Sequence, residues 1–348
     1  MKYIFYIAKA YSIPIIQPLA EYLDKQGSDY RFYVSEKVYK RRPESWDENK
    51  ILLRLKDARN YKPDFVLCPG NFVDFRIPGL KVQVFHGLGV EKDVHYKIRH
   101  FFDIYLTSGP YVTERYKNLQ DKYGYFLIRE TGWPKIDYIL NYPAGNIPKD
   151  LNLPEDKKVI LYAPTFSTQH ESVSSLTDVI PQIMKDDEFW IFKFHELMDP
   201  DLIKDYQALD KLKALVLVDA EITPYLHASN VMISDTSSVI YEFMVLDKPI
   251  ITYKTQARQD KGIDIKKPDE LRIALDRSFA NPDEFKKNRR RNLEEINPYL
   301  DGKISERVFR ELQAILEQNI RAKKRKPFNM FRKLQVIYHG IFRKGYLR

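Results

Sequence analysis

Ser234-Asp235-Thr236-Ser237-Ser238 is a run of five small polar residues between two apolar stretches. Val231, Met232 and Ile233 precede it as a short buried strand, and Val239, Ile240, Phe243, Met244 and Leu246 follow at helical spacing. Two uses suit such a run. Asp, Thr and Ser are good N-caps and satisfy the orphan amides of a helix start. Those amides, with hydroxyls beside them, also make an anion site suited to phosphate. Glu242 lies one helical turn after Ser238 on the same face. It would either accept hydrogen bonds from a ribose or stand as an ordinary solvated helix residue.

Three more polar residues end apolar runs. His86-Gly87 follows VQVF, Thr165 follows VILYAP, and His195 follows WIFKF. Each has a plain structural reading: a hydrogen-bonded histidine, turn glycines at Gly87 and Gly89, and a proline, Pro164, that closes a strand. Two of the chain's seven histidines nevertheless fall at strand ends, one in each half. The chemistry that would use both is transfer from a nucleotide-activated donor to an oxygen nucleophile. A hydroxyl needs a base, and histidine serves near neutral pH. A diphosphate needs amides, hydroxyls and a cation. Ser237, Ser238 and the helix start would supply the first two, and His195 or Lys193 the third. No carboxylate pair or His/Asp cluster has metal-ligand spacing, so neither metal nor other cofactor is expected.

Alternating strands and helices must position these residues. KYIFYIA, YRFYV, DFVLCPG, KVQVFHG and FDIYLTSGP read as strands in the first half, with helices over 15–25, 48–59 and 111–121. Residues 141–156 hold three prolines, Pro143, Pro148 and Pro154, and Gly145, which suits a stiff linker. Alternation resumes with KKVILYAPT, a helix over 172–184, FWIFKFH, a helix over 201–209, ALVLVDA, a helix over 223–228, VMI and KPIITY, and is helical from 268 on. The fold class is therefore α/β: two Rossmann-like domains, with ligands beyond the carboxyl ends of the strands in the cleft between them. The expected division is 1–142 for the acceptor side, 143–156 for the linker, 157–320 for the nucleotide donor, and 321–348 for a tail.

The tail carries the charge. Of 57 Lys and Arg, ten fall in residues 321–348, which hold no Asp or Glu; the other 320 residues carry 47 basic against 48 acidic side chains. Phe328, Phe331, Leu334, Ile337, Tyr338 and Ile341 form an apolar stripe flanked by Arg332, Lys333, Arg343 and Lys344. A disordered solvated tail and a nucleic-acid arm compete with an interfacial helix on anionic lipid. The last fits best, and nothing else in the chain resembles an RNA module, so no nucleic-acid partner is expected. One cysteine excludes an internal disulfide framework, the N-terminus is a poor signal peptide, and no apolar run nears 18 residues. A cytoplasmic protein, peripheral on the inner face of the cell membrane, is the expectation.

Together, HG after an apolar strand, TGWPKIDY, VILYAPTF, FKFH and SNVMISDTSSVIYEFMVLDKPIITY resemble the CDP-glycerol:glycerophosphate glycerophosphotransferases, the teichoic-acid-type polyol phosphate transferases. The likeness covers roughly residues 80–255. It implies a GT-B fold and transfer of glycerol phosphate from CDP-glycerol, or of ribitol phosphate from CDP-ribitol, to a hydroxyl of a lipid-linked or polymer acceptor, with release of CMP. By position it implies His86 as the base, His195 with Ser234, Asp235, Thr236, Ser237 and Ser238 around the donor diphosphate, Thr165 near the phosphates and Glu242 at the ribose. It also implies that the C-terminal helices from about 268 onward pack back across the cleft. Departures such as Phe166-Ser167 after Ala163-Pro164-Thr165, and Lys135 after Pro134, bear on the polyol and the acceptor. Two other readings stay open: a GT-B glycosyltransferase or nucleotide-sugar epimerase using a UDP-sugar, and a non-catalytic membrane-surface or nucleic-acid-binding protein.

Overall fold

The computed structural model describes residues 1–143, 145, 147–167, 171–209 and 213–342. The chain forms two compact units. Met1–Tyr138 with the segment from Ile296 onward makes the first, and Ile139–Glu295 the second.

The first unit is built on β1 (Lys2–Ile7), β2 (Asp29–Val34), β3 (Ile51–Leu52), β4 (Phe65–Cys68), β5 (Leu80–Gln83), β6 (Ile104–Thr107) and β7 (Leu127–Glu130). These strands pair in parallel in the order β3-β2-β1-β4-β5-β6-β7. The second unit is built on β8 (Lys158–Tyr162), β9 (Glu188–Phe194), β10 (Ala214–Val218), β11 (Val231–Ser234), β12 (Ile250–Tyr253) and β13 (Ile263–Ile265), again all parallel, in the order β10-β9-β8-β11-β12-β13. Both follow the strand order of a dinucleotide-type sheet, which reverses direction at β1/β4 and at β8/β11. Central strands such as YIFYI, FVLC, VILY and VMIS are buried on both faces, as parallel strands covered by helices must be.

Several elements differ from the sequence expectation. The helix expected over 48–59 is a 3₁₀ turn, the two-residue β3 and a short helix, Leu55–Asn60, because Ile51 and Leu52 pair with Phe32 and Tyr33 at the sheet edge. The helix expected over 172–184 is two single turns, Val173–Leu176 and Ile180–Ile183, the second restarting at Pro181. Within the expected linker, Ile147–Asp150 is helical.

The chain leaves the first unit within helix Lys135–Leu140, ahead of that linker, and returns at the end of helix Lys286–Ile296. Helix Ile304–Glu317, placed by sequence in a 157–320 donor domain, belongs to the first unit. Asp137 explains why. Its carboxylate accepts from Ile304 N (3.1 Å), Ser305 N (2.8 Å) and Ser305 Oγ (2.9 Å), which satisfies the helix start. Phe309 then stacks on Tyr22 at 5.5 Å and meets Tyr3 edge-on at 5.0 Å. Gly109 makes room for the returning chain, since a Cβ there would sit 2.6 Å from the Ile296 carbonyl.

The tail also folds onto the first unit. Lys324 N donates to Gly124 O (2.9 Å), Lys326 Nζ pairs with Asp103 at 2.6 Å, and Val336 of helix Met330–Phe342 is buried. The same helix turns Phe331, Leu334 and Tyr338 outward, 77%, 57% and 57% exposed. Arg343, Lys344 and the side chain of Ile341 lie outside the described residues. Among those described, no helix is long and apolar enough to cross a membrane.

Candidate active site

In the first unit, loops from four strand ends meet around His86. The imidazole is open to solvent and sits three residues beyond Gln83, where β5 ends. Its ring bonds the Pro69 carbonyl, from the loop after β4, and lies 5.9 Å from the ring of Tyr11, from the loop after β1. Surrounding protein lowers its pKa from 6.5, with Arg99 adding a repulsive charge, while the Pro69 bond opposes the shift. The preceding residue, Phe85, has φ +64°. Its carbonyl accepts from Trp133 Nε1 (3.2 Å), in the loop after β7.

In the second unit, Thr165 follows β8 and the Ser234–Ser238 run follows β11, the two strands that flank the reversal of strand order. Ala163 N donates to Ile233 O (3.0 Å) and so carries the pairing past the end of β8. Ser234 and Asp235 face inward, contrary to the expectation that both hold a ligand. Ser234 Oγ donates to Ala163 O (2.6 Å). Asp235 is fully buried and accepts from Thr165 N, Ser172 N, Ser172 Oγ and Thr236 N at 2.6–3.1 Å. Burial lifts its pKa to about 6 against those four donors. Its work is to tie the loop after β8 to the loop after β11.

The rest of the run points elsewhere. Ser238 occupies the N-cap position of helix Val239–Met244, yet its side chain makes no capping bond. Capping therefore does not account for its hydroxyl. Ser237 and Ser238 are half-buried, and Thr236 Oγ1 is buried with no hydrogen-bond partner among the described residues. His195 Nδ1 accepts from Leu197 N (3.0 Å), so the neutral ring carries its proton on Nε2. Phe166 stacks on that ring at 4.3 Å. Glu242 is buried, which removes the solvated-helix reading. Lys248, from the same quoted stretch, serves the structure instead. Its Nζ donates to the carbonyls of Leu226, His227 and Ser229 at the end of helix Thr223–Ala228.

Comparison with known proteins fits this arrangement. The profile of the CDP-glycerol:poly(glycerophosphate) glycerophosphotransferase family matches residues 92–314. The chain belongs to that family. The match includes His195 and the Ser234–Ser238 run and begins just after His86. A teichoic acid glycerol-phosphate transferase of Staphylococcus aureus is 28% identical over 44% of this chain and 41% of its own length. A teichoic acid glycerol-phosphate primase of Bacillus spizizenii is 30% identical over 45% and 41%. The chain thus spans about two fifths of these relatives' length. The wall teichoic acid polymerase TagF, in a structure soaked with CDPG, superposes with TM-score 0.67 over 91% of this chain and 89% of that one, at 18% identity. That likeness establishes a fold of GT-B type.

Within this glycerophosphotransferase-family chain, the structure groups Thr165, Thr236, Ser237 and Ser238 on the second unit, with His195 at the end of β9, the strand next to β8. His86 stands on the first. Sequence reasoning gave no role to Trp133 or to the left-handed Phe85, and did not foresee the stacking of Phe166 on His195. Phe166 and Trp133 had a signal, since aromatic residues beside a strand-end motif are unusual in a plain loop. A backbone angle leaves none.

Proposed function

We propose that this chain transfers glycerol phosphate, or a related polyol phosphate such as ribitol phosphate, from a CDP-activated donor to a hydroxyl of a lipid-linked or polymer acceptor. His86 takes the acceptor proton. The freed oxygen attacks the polyol-bearing phosphorus of the donor, the bond between that phosphorus and the bridging oxygen breaks, and CMP leaves carrying the bridging oxygen. The observation that carries the reading is His86 itself: an accessible imidazole at a strand end, held by a backbone carbonyl and kept neutral at pH 7 by its surroundings. Family membership supplies the donor class.

On the second unit, Ser237, Ser238 and the Nε2–H of His195 hold the donor diphosphate, and Glu242 accompanies the ribose. Thr165 and Asp235 set the loop geometry beneath them. The exposed Phe331, Leu334 and Tyr338, set in a basic segment, rest on an anionic membrane surface and keep the enzyme at the inner face of the membrane that carries its acceptor.

Calorimetry with CDP-glycerol tests the donor site. A hydrogen bond to a charged group contributes about 1.5–3 kcal/mol. His195→Ala and Ser238→Ala should therefore each weaken binding by about tenfold or more, whereas Ser234→Ala should lower stability and leave affinity nearly unchanged. Unaltered affinity in the first two variants, or tighter binding of a UDP-sugar than of CDP-glycerol, would count against the reading.

A further inference from the structure

We propose that Trp133 is a positioning residue for His86, acting through the backbone of Phe85. The inference rests on His86 being the base. Phe85 has φ +64°, a region that bulky L-residues avoid because Cβ crowds the backbone. Something must hold it there. Its ring is wedged between His95, stacked at 4.7 Å, and Tyr116, edge-on at 5.5 Å. Its carbonyl oxygen accepts from the indole Nε1–H of Trp133 at 3.2 Å.

That carbonyl belongs to the peptide whose nitrogen is His86 N. A peptide is planar. Fixing its oxygen therefore fixes the plane, and with it the direction in which His86 leaves the backbone toward Pro69 and Tyr11. Trp133 is well placed for this. It is 2% exposed, its backbone N–H donates to Asn297 Oδ1 at 2.8 Å, and it follows Gly132 at φ +90°. The backbone of Trp133 is thus held by the returning segment of the chain, and the buried indole's Nε1–H reaches the peptide ahead of the base. Packing alone would be met by any large aromatic side chain; the N–H is what the Phe85 carbonyl requires.

The test removes the N–H and keeps the bulk. Trp133 is replaced by benzothienylalanine, an isostere with sulfur in place of N–H, and in parallel by Phe. The side chains of ¹⁵N-histidine-labelled protein are titrated by NMR, with the His86 signal assigned from His86→Ala. Turnover is measured at saturating CDP-glycerol. In both variants the His86 pKa should rise toward 6.5, turnover should fall about tenfold, and the Kd for CDP-glycerol should stay within twofold. In a Phe85→Gly background, where glycine adopts φ +64° freely, losing the N–H should cost less than threefold. An unchanged His86 titration with turnover within twofold in the isosteric variant would overturn the proposal. The failures separate cleanly. If His86→Ala keeps full turnover, the base assignment falls, and the titration still decides whether Trp133 positions the ring. If Trp133→Phe does not fold, the isostere decides alone.

Discussion

The proposed base must be unprotonated when its substrate arrives, and His86 is biased that way by desolvation at its site and by the charge of Arg99. The consequence is a pH profile. The neutral form is the active one, so turnover should rise with pH along an acid limb whose midpoint lies below 6.5, and be level near pH 7. His86→Ala should lower turnover by about 10²- to 10⁴-fold and abolish that limb, with little change in donor affinity. A limb that persists in the variant would assign the titration to another group. The side chains at the other strand ends divide by direction. Ser234 and Asp235 look as suited to phosphate as Ser237 and Ser238 when only residue types are seen. The fold spends the first pair on Ala163, Thr165 and Ser172. Strand alternation could not separate them, because the run lies where the strand period gives way to a turn. His195 was legible as a ligand candidate, but its tautomer depends on the Leu197 amide and was not.

Among the elements, the parallel strands were plain as short apolar runs that end in polar loops. What stayed hidden had too few residues or too distant a partner. β3 and β13 have two and three residues, too short for any period to register, and β7, whose four residues LIRE are half charged, went unread as well. The return of helix Ile304–Glu317 to the first unit depends on Asp137, 167 positions before Ile304 in the chain, and no local pattern encodes that pairing. Asp137 is buried, and removing it leaves two backbone amides and the Ser305 hydroxyl without their acceptor. An unpaired buried donor costs about 1–3 kcal/mol. Asp137→Ala should accordingly lower unfolding stability by at least that amount, with faster hydrogen exchange concentrated in residues 304–317. Uniform loss of protection across the first unit, or none, would show that the cap is not what fixes this helix.

At the scale of the whole molecule, charge and apolar exposure coincide in one place. The basic tail and its stripe are visible in the sequence; the structure adds that Val336 and Lys326 anchor the segment to the first unit while Phe331, Leu334 and Tyr338 face out. Replacing those three by Ser leaves the anchors untouched. Fold and donor binding should survive. Each basic residue near an anionic surface contributes about 1 kcal/mol, so raised salt should release the unaltered protein from anionic vesicles. The triple variant should co-sediment at least about tenfold less even at low salt, since burying even one apolar side chain adds about 1.5–3 kcal/mol. Equal co-sedimentation would end the membrane reading. The central claim, phosphoryl rather than glycosyl-type transfer, is settled by which bond of the donor breaks. Purified protein is incubated with CDP-glycerol carrying labelled glycerol and with a lipid-linked acceptor bearing a terminal hydroxyl, and the nucleotide product is resolved. CMP and acceptor-bound glycerol phosphate should appear in equal amounts, both lost in His86→Ala; release of CDP, or labelled acceptor that forms without CMP, would contradict the claim.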